Sequence, residues 1–435
     1  MKIAIIADDL TGAADAVAPF ARRGFASEVV LKRKSRPKSS FKNLIRNETE
    51  ACAWDSGTRE LSETSTPYIG RGVRSAVREA AKFSPKIWFC KIDSLLRGRL
   101  RLDLETTLEE LPGRAPIICP AFPANGRTVC GGRVFLNGVS QDKTVREAFG
   151  YSDKAGENSA MFSKMLMNDD FSQYEIRSIF NTESSEPIFC DAENQADLDR
   201  IARILIAHPD RFLAVGSGGL ATAIATLLAR DELYTLDEAA MTEVPFTRLN
   251  PAFAQKRVLV AVGSVNPASR GQAIQLSCKI GYPPVVLLSG KGGAENAVSE
   301  MRKIWESGSR IVVLSTPIAE ERGVAEAIGR LAYYLQNARR TVQCDPGSNS
   351  QNRVFDALIA TGGETAHRFG QGFGCRGLKI EGELEPGIVQ GAFLSLASVK
   401  FAPSIMDNLP VIVKSGGFGD EFTLCRCLGF QENRQ

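Results

Sequence analysis

Histidine is nearly absent from this chain, and other familiar signatures are missing altogether. Only His208 and His367 occur in 435 residues, so a mechanism that pairs a serine or cysteine nucleophile with histidine is disfavoured. Ten cysteines are present without a C-x-x-C pair, and the single close pair, Cys425 and Cys427, is poorly spaced for zinc. We therefore expect reduced core cysteines, no structural metal site, and chemistry carried by carboxylates, basic side chains and backbone amides.

Long apolar runs and a strong charge excess are also missing. No apolar stretch approaches the length of a membrane span. The N-terminal segment 1–9 ends in two acids, so its apolar part is too short for a secretory signal. The formal net charge of +3 is too small to indicate binding to nucleic acid or to anionic membranes. We expect a cytoplasmic globular protein without nucleic-acid or membrane partners, and we leave a homodimer open.

Apolar, strand-like runs alternate with helical patterns in both halves of the chain. At 435 residues the chain is too long for one ordinary core, and the alternation is typical of βα units around mainly parallel sheets. We predict two α/β domains, with residues 1–235 as the first, 236–256 as a linker and 257–435 as the second. Because ligands of such sheets bind at the carboxyl ends of the strands, we expect the substrate and nucleotide sites to face a cleft between the domains.

Charged and hydroxyl side chains gather directly after several predicted strands of the first domain. Asp8 and Asp9 enter the first helix, where a plain N-cap is the alternative interpretation. The loop 91–98 suits a small acidic, hydroxylated molecule, although a surface ion pair would also explain it. The stretch 120–138 is rich in glycine, asparagine and arginine, and we interpret it as a long connection that belongs to a site. The candidate residues in these last two segments are Lys91, Asp93, Ser94, Arg97, Asn125 and Arg127.

Two glycine-bearing loops stand out in the last quarter of the chain. Thr361–Thr365 and Lys414–Gly419 each follow a short apolar run. Glycines after a strand expose backbone N–H groups, and a helix that starts there adds partial positive charge, so the two loops predict a phosphate cradle. The common motif G-x-x-x-x-G-K-[ST] is absent. Gly263 and Ser264 open a further helix and would add a hydroxyl or an amide, although a capped helix start explains them equally well.

A different glycine turn lies at the end of the first domain. Gly216–Ala221 fits the dinucleotide fingerprint G-x-G-x-x-A after a strand and before a helix. Close packing of that helix on the strand is the alternative reason for its glycines.

These motifs, in this order and over the whole chain, resemble the four-carbon acid sugar kinase family, which includes threonate, erythronate and 3-oxo-tetronate kinases. The segments that carry the resemblance are 7–13, 91–98, 120–127, 216–221, 263–264, 361–366, 386–389 and 414–420. The resemblance implies an N-terminal domain that binds a sugar acid and a C-terminal domain that binds ATP. The residues that it implies for ATP are Ser264, Gly362, Gly363, Glu364, Thr365, Lys414, Gly416 and Gly417.

The resemblance also implies an ATP-dependent kinase that uses Mg²⁺ and phosphorylates a terminal hydroxyl of a four-carbon acid sugar. The substrate carboxylate would pair with Arg97 and with Lys91 or Arg127. As catalytic residues, Asp8 or Asp9 would orient the hydroxyl or take its proton, since phosphoryl transfer needs mainly positioning and charge neutralisation.

Several questions stay open at the level of sequence. The identity of the acid sugar, the choice of catalytic base and the metal ligands are not determined. The alternative functions are an NAD(P)-dependent oxidoreductase that uses the Gly216–Ala221 turn and a non-catalytic sugar-acid-binding protein.

Overall fold

The structure is a computed structural model that describes residues 1–32, 45–59, 66–152, 187–232, 246–290, 292–317, 321–337, 354–395 and 406–430. The chain divides into two compact units, one formed by Met1–Ser27 with Thr49–Val244 and the other by Glu28–Glu48 with Pro245–Gln435. Each unit is built around a mainly parallel sheet flanked by helices. The predicted fold class of two α/β domains is therefore confirmed.

The described strands and helices follow the alternation of apolar runs and helical patterns in the sequence. The strands are β1 (Ile3–Ala7), β2 (Ser27–Val30), β3 (Ala51–Asp55), β4 (Ile87–Lys91), β5 (Ala115–Cys119), β6 (Arg127–Cys130), β7 (Arg133–Leu136), β8 (Val139–Thr144), β9 (Ile188–Phe189), β10 (Phe212–Gly216), β11 (Val258–Val262), β12 (Val285–Val286), β13 (Ile311–Ser315), β14 (Ala357–Thr361), β15 (Cys375–Glu385), β16 (Ile388–Ser395) and β17 (Pro410–Lys414). The helices are α1 (Leu10–Arg22), α2 (Thr66–Ala81), α3 (Leu100–Glu110), α4 (Val145–Ala148), α5 (Gln195–Ala207), α6 (Gly218–Glu232), α7 (Pro251–Gln255), α8 (Pro267–Ile280), α9 (Gly293–Glu306), α10 (Glu321–Asn337), α11 (Gly363–Gly372) and α12 (Thr423–Arg426). Within the described ranges, none of these helices is both long enough and apolar enough to cross a membrane.

A parallel sheet in the order β3-β1-β4-β10-β5-β9 forms the centre of the first unit. Strand β1 has the sequence IAIIA and is buried throughout, as expected for a central strand that is covered on both faces. Ala7 lies opposite both Asp55 and Lys91, and Gly216 lies opposite Lys91 and Cys119. The carboxyl ends of these strands are therefore level, and the residues that follow them share one edge of the sheet.

Helix α1 leads directly away from that edge. It contains Pro19 and continues to Arg22. The residues around Pro19 are buried, and the guanidinium of Arg23 donates to the Pro19 carbonyl at 2.9 Å. Packing of this apolar helix offsets the single backbone hydrogen bond that proline cannot donate.

The glycine-rich stretch after Pro120 is more ordered than the long connection that its composition predicts. Strands β6, β7 and β8 form a separate antiparallel sheet. Asn137 and Gly138, both at positive φ, form the two-residue turn between β7 and β8. These glycines therefore serve hairpin turns, and the polar residues that follow, 153–186, lie outside the described residues.

The second unit contains a sheet in the order β12-β13-β11-β14-β17-β16-β15. The first five strands are parallel, β16 is antiparallel to β17, and β15 is antiparallel to β16. Thr361 lies opposite Val262 on one side and Lys414 on the other. The loops after β11, β14 and β17 therefore leave the same edge of this sheet from adjacent strands.

The described part of the predicted linker is packed against the second unit. Helix α7 is capped by Asn250, and Phe253 is fully buried in a core cluster that includes Val260 and Ile412. Residues 236–245 of the predicted linker lie outside the described residues, and the proposed domain bounds stay a prediction.

Candidate active site

The two acids of the first unit lie at the carboxyl end of β1. Asp9 caps α1 by accepting from the N–H of Gly12 at 2.7 Å, and it accepts from the Thr11 hydroxyl at 2.7 Å. The N-cap interpretation thus applies to Asp9. Asp8 is buried and takes no part in the cap. Burial raises the pKa of Asp8 to about 6, although the charge of Arg59 opposes this shift.

Arg59 joins the two acids, and the sequence analysis does not single it out. Its Nε and Nη2 donate to the two carboxylate oxygens of Asp8 at 2.8 and 2.7 Å, and its Nη1 donates to Asp9 at 2.8 Å. The available signal is its place four residues after β3, the strand that pairs with β1. A buried acid pair with a shared guanidinium is therefore the centre of this edge.

Lys91 ends β4 and is buried beneath the same edge. Its Nζ donates to the Ile92 carbonyl at 3.1 Å and lies 3.4 Å from Asp15 Oδ2. Asp15, one turn into α1, is a second residue that the sequence analysis missed. Its Oδ1 is buried without a hydrogen-bond partner among the described residues. Burial raises the pKa of Asp15 against the charge of Lys91.

Asp93 and Arg97 form a two-pronged ion pair in the loop after β4. Arg97 donates from Nε at 2.9 Å and from Nη2 at 2.7 Å, and Asp93 also accepts from the N–H of Leu95 at 3.0 Å. Burial alone would raise the pKa of Asp93, but the hydrogen bonds and charge of Arg97 lower it to about 2. Arg97 is 67% exposed, so the ion pair that the sequence leaves open as an alternative interpretation of this loop is present at the surface. Ser94, beside it, is partly buried.

Asn125 and Arg127 lie close to this loop. Arg127 Nη1 donates to the Asn125 carbonyl at 2.6 Å, and the Asn125 side-chain nitrogen is buried with no hydrogen-bond partner in the described part of the chain. Burial lowers the pKa of Arg127, and the charge of Asp93 opposes that change. The structure thus brings the predicted substrate residues Lys91, Asp93 and Arg127 within electrostatic reach of one another.

The Gly216–Ala221 turn packs closely against its own neighbours. A side chain at Gly219 would place its Cβ 2.5 Å from the Ala121 carbonyl oxygen, and one at Gly216 would place it 2.8 Å from the Cys119 carbonyl oxygen. Ser217 Oγ donates to the Ala121 carbonyl at 2.9 Å. Close packing therefore accounts for these glycines, and the dinucleotide interpretation has no support in this geometry.

Three loops meet at the edge of the sheet in the second unit. A Cβ on Gly416 would collide with Ser264 Oγ, and a Cβ on Gly362 would lie 3.4 Å from Ser264 Cβ. The N–H of Gly362 donates to the Lys414 carbonyl at 2.8 Å. The predicted convergence of the Gly362 and Gly416 turns is therefore present, with Ser264 between them and Gly417 beside Asn266.

Helix α11 begins inside this cluster without a side-chain cap. Its N-cap residue is Gly362, at φ 91°, whereas α8 is capped by the side chain of Asn266. Uncapped N–H groups and the helix dipole make the start of α11, at Gly363 and Glu364, suitable for an anion. Just before it, Thr361 Oγ1 is buried with no hydrogen-bond partner in the described ranges.

Two predicted nucleotide residues have other partners. Thr365 is buried, and its Oγ1 occupies the space where a Cβ on Gly263 would lie. Lys414 is fully buried, and its Nζ donates to the carbonyls of Ser415 at 3.0 Å and Gly416 at 3.4 Å. Burial lowers the pKa of Lys414 to about 8. Lys414 therefore supports the loop from below, and the direct ATP contact that the resemblance implies for it stays a prediction.

The described residues contain no group of three or more His, Cys, Asp or Glu side chains arranged to hold a metal ion. Glu364 pairs with Arg368, and Asp420 pairs with Arg426. A protein-built metal cage is therefore not part of the geometry in these ranges.

The fold and the two clusters define the class of protein: an α/β protein with charged side chains at the strand ends of its first unit and three converging glycine-bearing loops in its second. Residues 3–224 match the family model described as a sugar-binding N-terminal domain. Residues 259–424 match the model described as a nucleotide-binding C-terminal domain. The chain belongs to this family, and the resemblance to the four-carbon acid sugar kinases is confirmed.

Curated relatives share this organisation over their full length. The chain is 27% identical to a D-threonate kinase of Salmonella typhimurium, with 99% of each chain covered. It is 27% identical to a D-threonate kinase of Cupriavidus necator, with 98% of this chain and 96% of the relative covered. It is 22% identical to a D-erythronate kinase of Heliobacterium modesticaldum, with 99% and 97% covered. The predicted enzyme class, a kinase, is thereby confirmed.

Solved structures show the same fold. A Salmonella typhimurium LT2 protein is similar with a TM-score of 0.66 and 18% identity, covering 99% of this chain and 100% of its own. A Haemophilus influenzae protein is similar with a TM-score of 0.62 and 16% identity, covering 98% and 99%.

Proposed function

We propose that this protein is an ATP-dependent kinase that phosphorylates a terminal hydroxyl of a four-carbon acid sugar such as threonate, erythronate or a 3-oxo-tetronate. The observation that carries the proposal is the meeting of the Ser264, Gly362 and Gly416 loops at the uncapped start of α11. Backbone N–H groups that point to one place bind the oxygens of a polyphosphate. The names of the relatives supply the substrate class.

The first unit would bind the sugar acid at the level edge of its sheet. This edge carries acids and bases that are already paired with one another, as in the fork between buried Asp93 and exposed Arg97 and in the buried Lys91–Asp15 contact. Such groups can exchange an internal partner for a substrate carboxylate or hydroxyl without the cost of desolvating a new charge. Asn125, with its unpartnered side-chain nitrogen, is a further candidate donor.

Asp8 and Asp9 would act on the attacking hydroxyl. Asp8 has the pKa closer to neutrality, about 6, and a general base works best with a pKa near the working pH. Both acids accept from Arg59, but Asp9 is also committed to the N-cap of α1 through the Gly12 N–H and accepts from Thr11, whereas Asp8 takes no part in the cap. We therefore propose Asp8 as the base and Asp9 as the residue that orients it through Arg59.

ATP fits the anion site of the second unit, whereas Mg²⁺ would be brought by ATP. The described residues hold no group of three or more His, Cys, Asp or Glu side chains placed to bind a metal ion, so we propose that the metal would be held mainly by phosphate oxygens and water. When bound, Mg²⁺ would neutralise charge on the phosphates. The protein's own share is to hold the γ-phosphate at the start of α11 and to align the hydroxyl.

The test is ADP release, coupled to a spectroscopic readout, over a panel of D- and L-threonate, D- and L-erythronate and their 3-oxo forms. We expect turnover that needs both ATP and one of these acids, and that is lost when Ser264→Ala and Gly416→Val are combined. Sugar-acid binding without ADP release from any panel member would instead favour the non-catalytic alternative. Absence of both binding and turnover would refute the proposal.

A further inference from the structure

We infer that Ser269 and Gln272 of α8 are positioning residues of the nucleotide site: they hold carbonyl groups of the loop 415–420 toward the helix, so that the N–H groups that follow stay free for the phosphates. Both residues lie outside the segments that carry the family resemblance. The inference rests on the proposed function, which makes ATP the ligand of this loop.

Two side chains of α8 donate hydrogen bonds to three carbonyls of the loop. Ser269 Oγ donates to the Gly416 carbonyl at 2.7 Å. Gln272 Nε2 donates to the carbonyls of Phe418 at 3.1 Å and Asp420 at 2.7 Å, which uses both hydrogens of its amide group. Ser269 and Gln272 are buried, so water does not compete for these bonds.

The bond from Ser269 also sets the direction of an N–H group. In a trans peptide the carbonyl of one residue and the N–H of the next point in opposite directions. Because Ser269 holds the Gly416 carbonyl, the Gly417 N–H points away from that donor. Gly417 is exposed, and its N–H has no hydrogen-bond acceptor among the described residues. This N–H is therefore free for an anion.

Gln272 has the same relation to Gly419. It holds the Phe418 carbonyl, so the N–H of Gly419 points the other way. Gly419 is exposed, and within the described ranges its N–H has no acceptor either. The Phe418 N–H, by contrast, donates to the Ser415 carbonyl at 3.2 Å inside the loop. The loop thus alternates between internal bonds and free N–H groups.

Buried Lys414 completes the set at the start of the loop. Its Nζ donates to the Ser415 carbonyl at 3.0 Å, so the N–H of Gly416 is turned outward in the same way. Backbone N–H groups that are left free in a turn form an anion-binding concavity. The three buried side chains therefore act through the backbone, and none of them needs to touch the nucleotide.

Helix α8 also carries another wall of this site. It follows the loop after β11 that contains Ser264, and Ser264 Oγ accepts from the N–H of the N-cap residue Asn266 at 3.2 Å. The strand order β11-β14-β17 places the loop 415–420 two strands away from the start of α8. A single helix thus connects the loops on both sides of the Gly362 turn.

The side chain of Gln272 is not explained by burial alone. Its Oε1 is buried with no hydrogen-bond partner in the part of the chain that the structure describes. An unsatisfied buried oxygen is unfavourable, and an apolar side chain of similar size would avoid it. The two carbonyls that need a donor account for a glutamine at this position.

The experiment compares Ser269→Ala and Gln272→Met with Ser277→Ala and Gln275→Met, two matched controls on the same helix. Ser277 is buried, but its Oγ has no hydrogen-bond partner among the described residues. Gln275 is exposed on α8. Full-length proteins are titrated with magnesium tripolyphosphate, which has neither base nor ribose, and with ATP. Turnover gives KM for the sugar acid, and urea unfolding gives stability.

We expect the dissociation constants of tripolyphosphate and ATP to rise together. The rise should be about 2- to 10-fold for Ser269→Ala, which loses one hydrogen bond, and about 5- to 100-fold for Gln272→Met, which loses two. KM for the sugar acid should stay within about twofold of wild type, since that site lies in the other unit. Both controls should bind tripolyphosphate within about twofold of wild type.

A second readout separates positioning from a loss of stability. In spectra of protein labelled with nitrogen-15 glycine, tripolyphosphate should shift the amide signals of Gly417 and Gly419 in the wild type. Ser269→Ala should reduce the shift at Gly417 more than at Gly419, and Gln272→Met should do the reverse. A residue that only stabilises the helix would not produce this pairing.

Each remaining result has one meaning. Wild-type tripolyphosphate affinity in folded Ser269→Ala and Gln272→Met, or equal losses in the controls, overturns the inference and leaves the kinase proposal intact. If Gln272→Met does not fold, Ser269→Ala and the Gly417 signal decide. A wild type that binds tripolyphosphate and ATP but phosphorylates no sugar acid overturns the proposed function alone. A wild type that binds neither overturns both.

Discussion

Replacement of Gly362 by alanine is the sharpest probe of the nucleotide site. Gly362 has φ 91° and ψ 138°, a region that residues with a side chain rarely adopt. Space is not the obstacle, because the new Cβ would lie 3.4 Å from Ser264 Cβ. The cost is backbone strain of about 1–3 kcal/mol. The chain can relieve it by rotating the peptide that donates to the Lys414 carbonyl.

That rotation would turn the first N–H groups of α11 away from the γ-phosphate. If the whole strain appears in binding, the dissociation constant for ATP rises by roughly 5- to 150-fold. The assay is titration with a fluorescent ATP analogue, together with urea unfolding to measure stability. Sugar-acid binding, followed by thermal shift without nucleotide, should be unchanged because the substitution lies in the other unit.

Gly281→Ala is the matched control. Gly281 also has positive φ, 75°, but it closes the far end of α8 and a Cβ there would meet nothing within 4 Å. It should lower the free energy of unfolding by about 1 kcal/mol with no effect on ATP affinity. Wild-type ATP affinity in a folded Gly362→Ala protein, or equal losses of affinity in both variants, would refute the assignment of this turn.

Three further predictions concern single groups. If Asp8 is the base, kcat/KM should fall as the pH drops through about 6, and Asp8→Asn should remove this limb along with most of the turnover while ATP binding persists. For Lys414, whose folded pKa of about 8 lies below its ordinary value of 10.5, the unfolded chain binds the extra proton between these values. The wild type should therefore gain stability relative to Lys414→Met as the pH rises from about 8 to 10.5 in chemical unfolding, and a parallel pair of curves would contradict this. Gly219→Ala should destabilise the first unit by about 1–3 kcal/mol through its clash with the Ala121 carbonyl, without changing NADH fluorescence or ATP affinity.

The sequence indicates the site loops better than it indicates their roles. Apolar runs followed by glycine, acid or hydroxyl residues locate the ends of β1, β4, β14 and β17, because a parallel sheet places polar loops at its carboxyl edge. The sequence does not indicate Arg59 as a site residue, because no periodic pattern marks Ser56–Arg59. Only the pairing of β1 with β3, which joins residues about 50 positions apart, brings it to Asp8.

Lys414 shows how the parity of a strand position affects a residue that a motif singles out. A lysine before glycines suggests a phosphate contact, yet β17 alternates its faces, and Lys414 lies on the same face as Ile412 of the buried core. No motif in the sequence indicates the β15–β16 hairpin, which depends on the antiparallel pairing of its two strands. The parity of its strand position decides on which face Lys414 lies, and long-range pairing decides the hairpin. A local sequence pattern reports neither of them.

The hydrogen bond from the Gly362 N–H to the Lys414 carbonyl is, in effect, one more rung of the β14–β17 ladder. The two turns that would grip the phosphates are thus spaced by the separation of neighbouring strands, about 4.8 Å, and share its stiffness. A nucleotide that binds there would meet a site that already has its final width. Little conformational entropy of the protein would therefore be lost on binding.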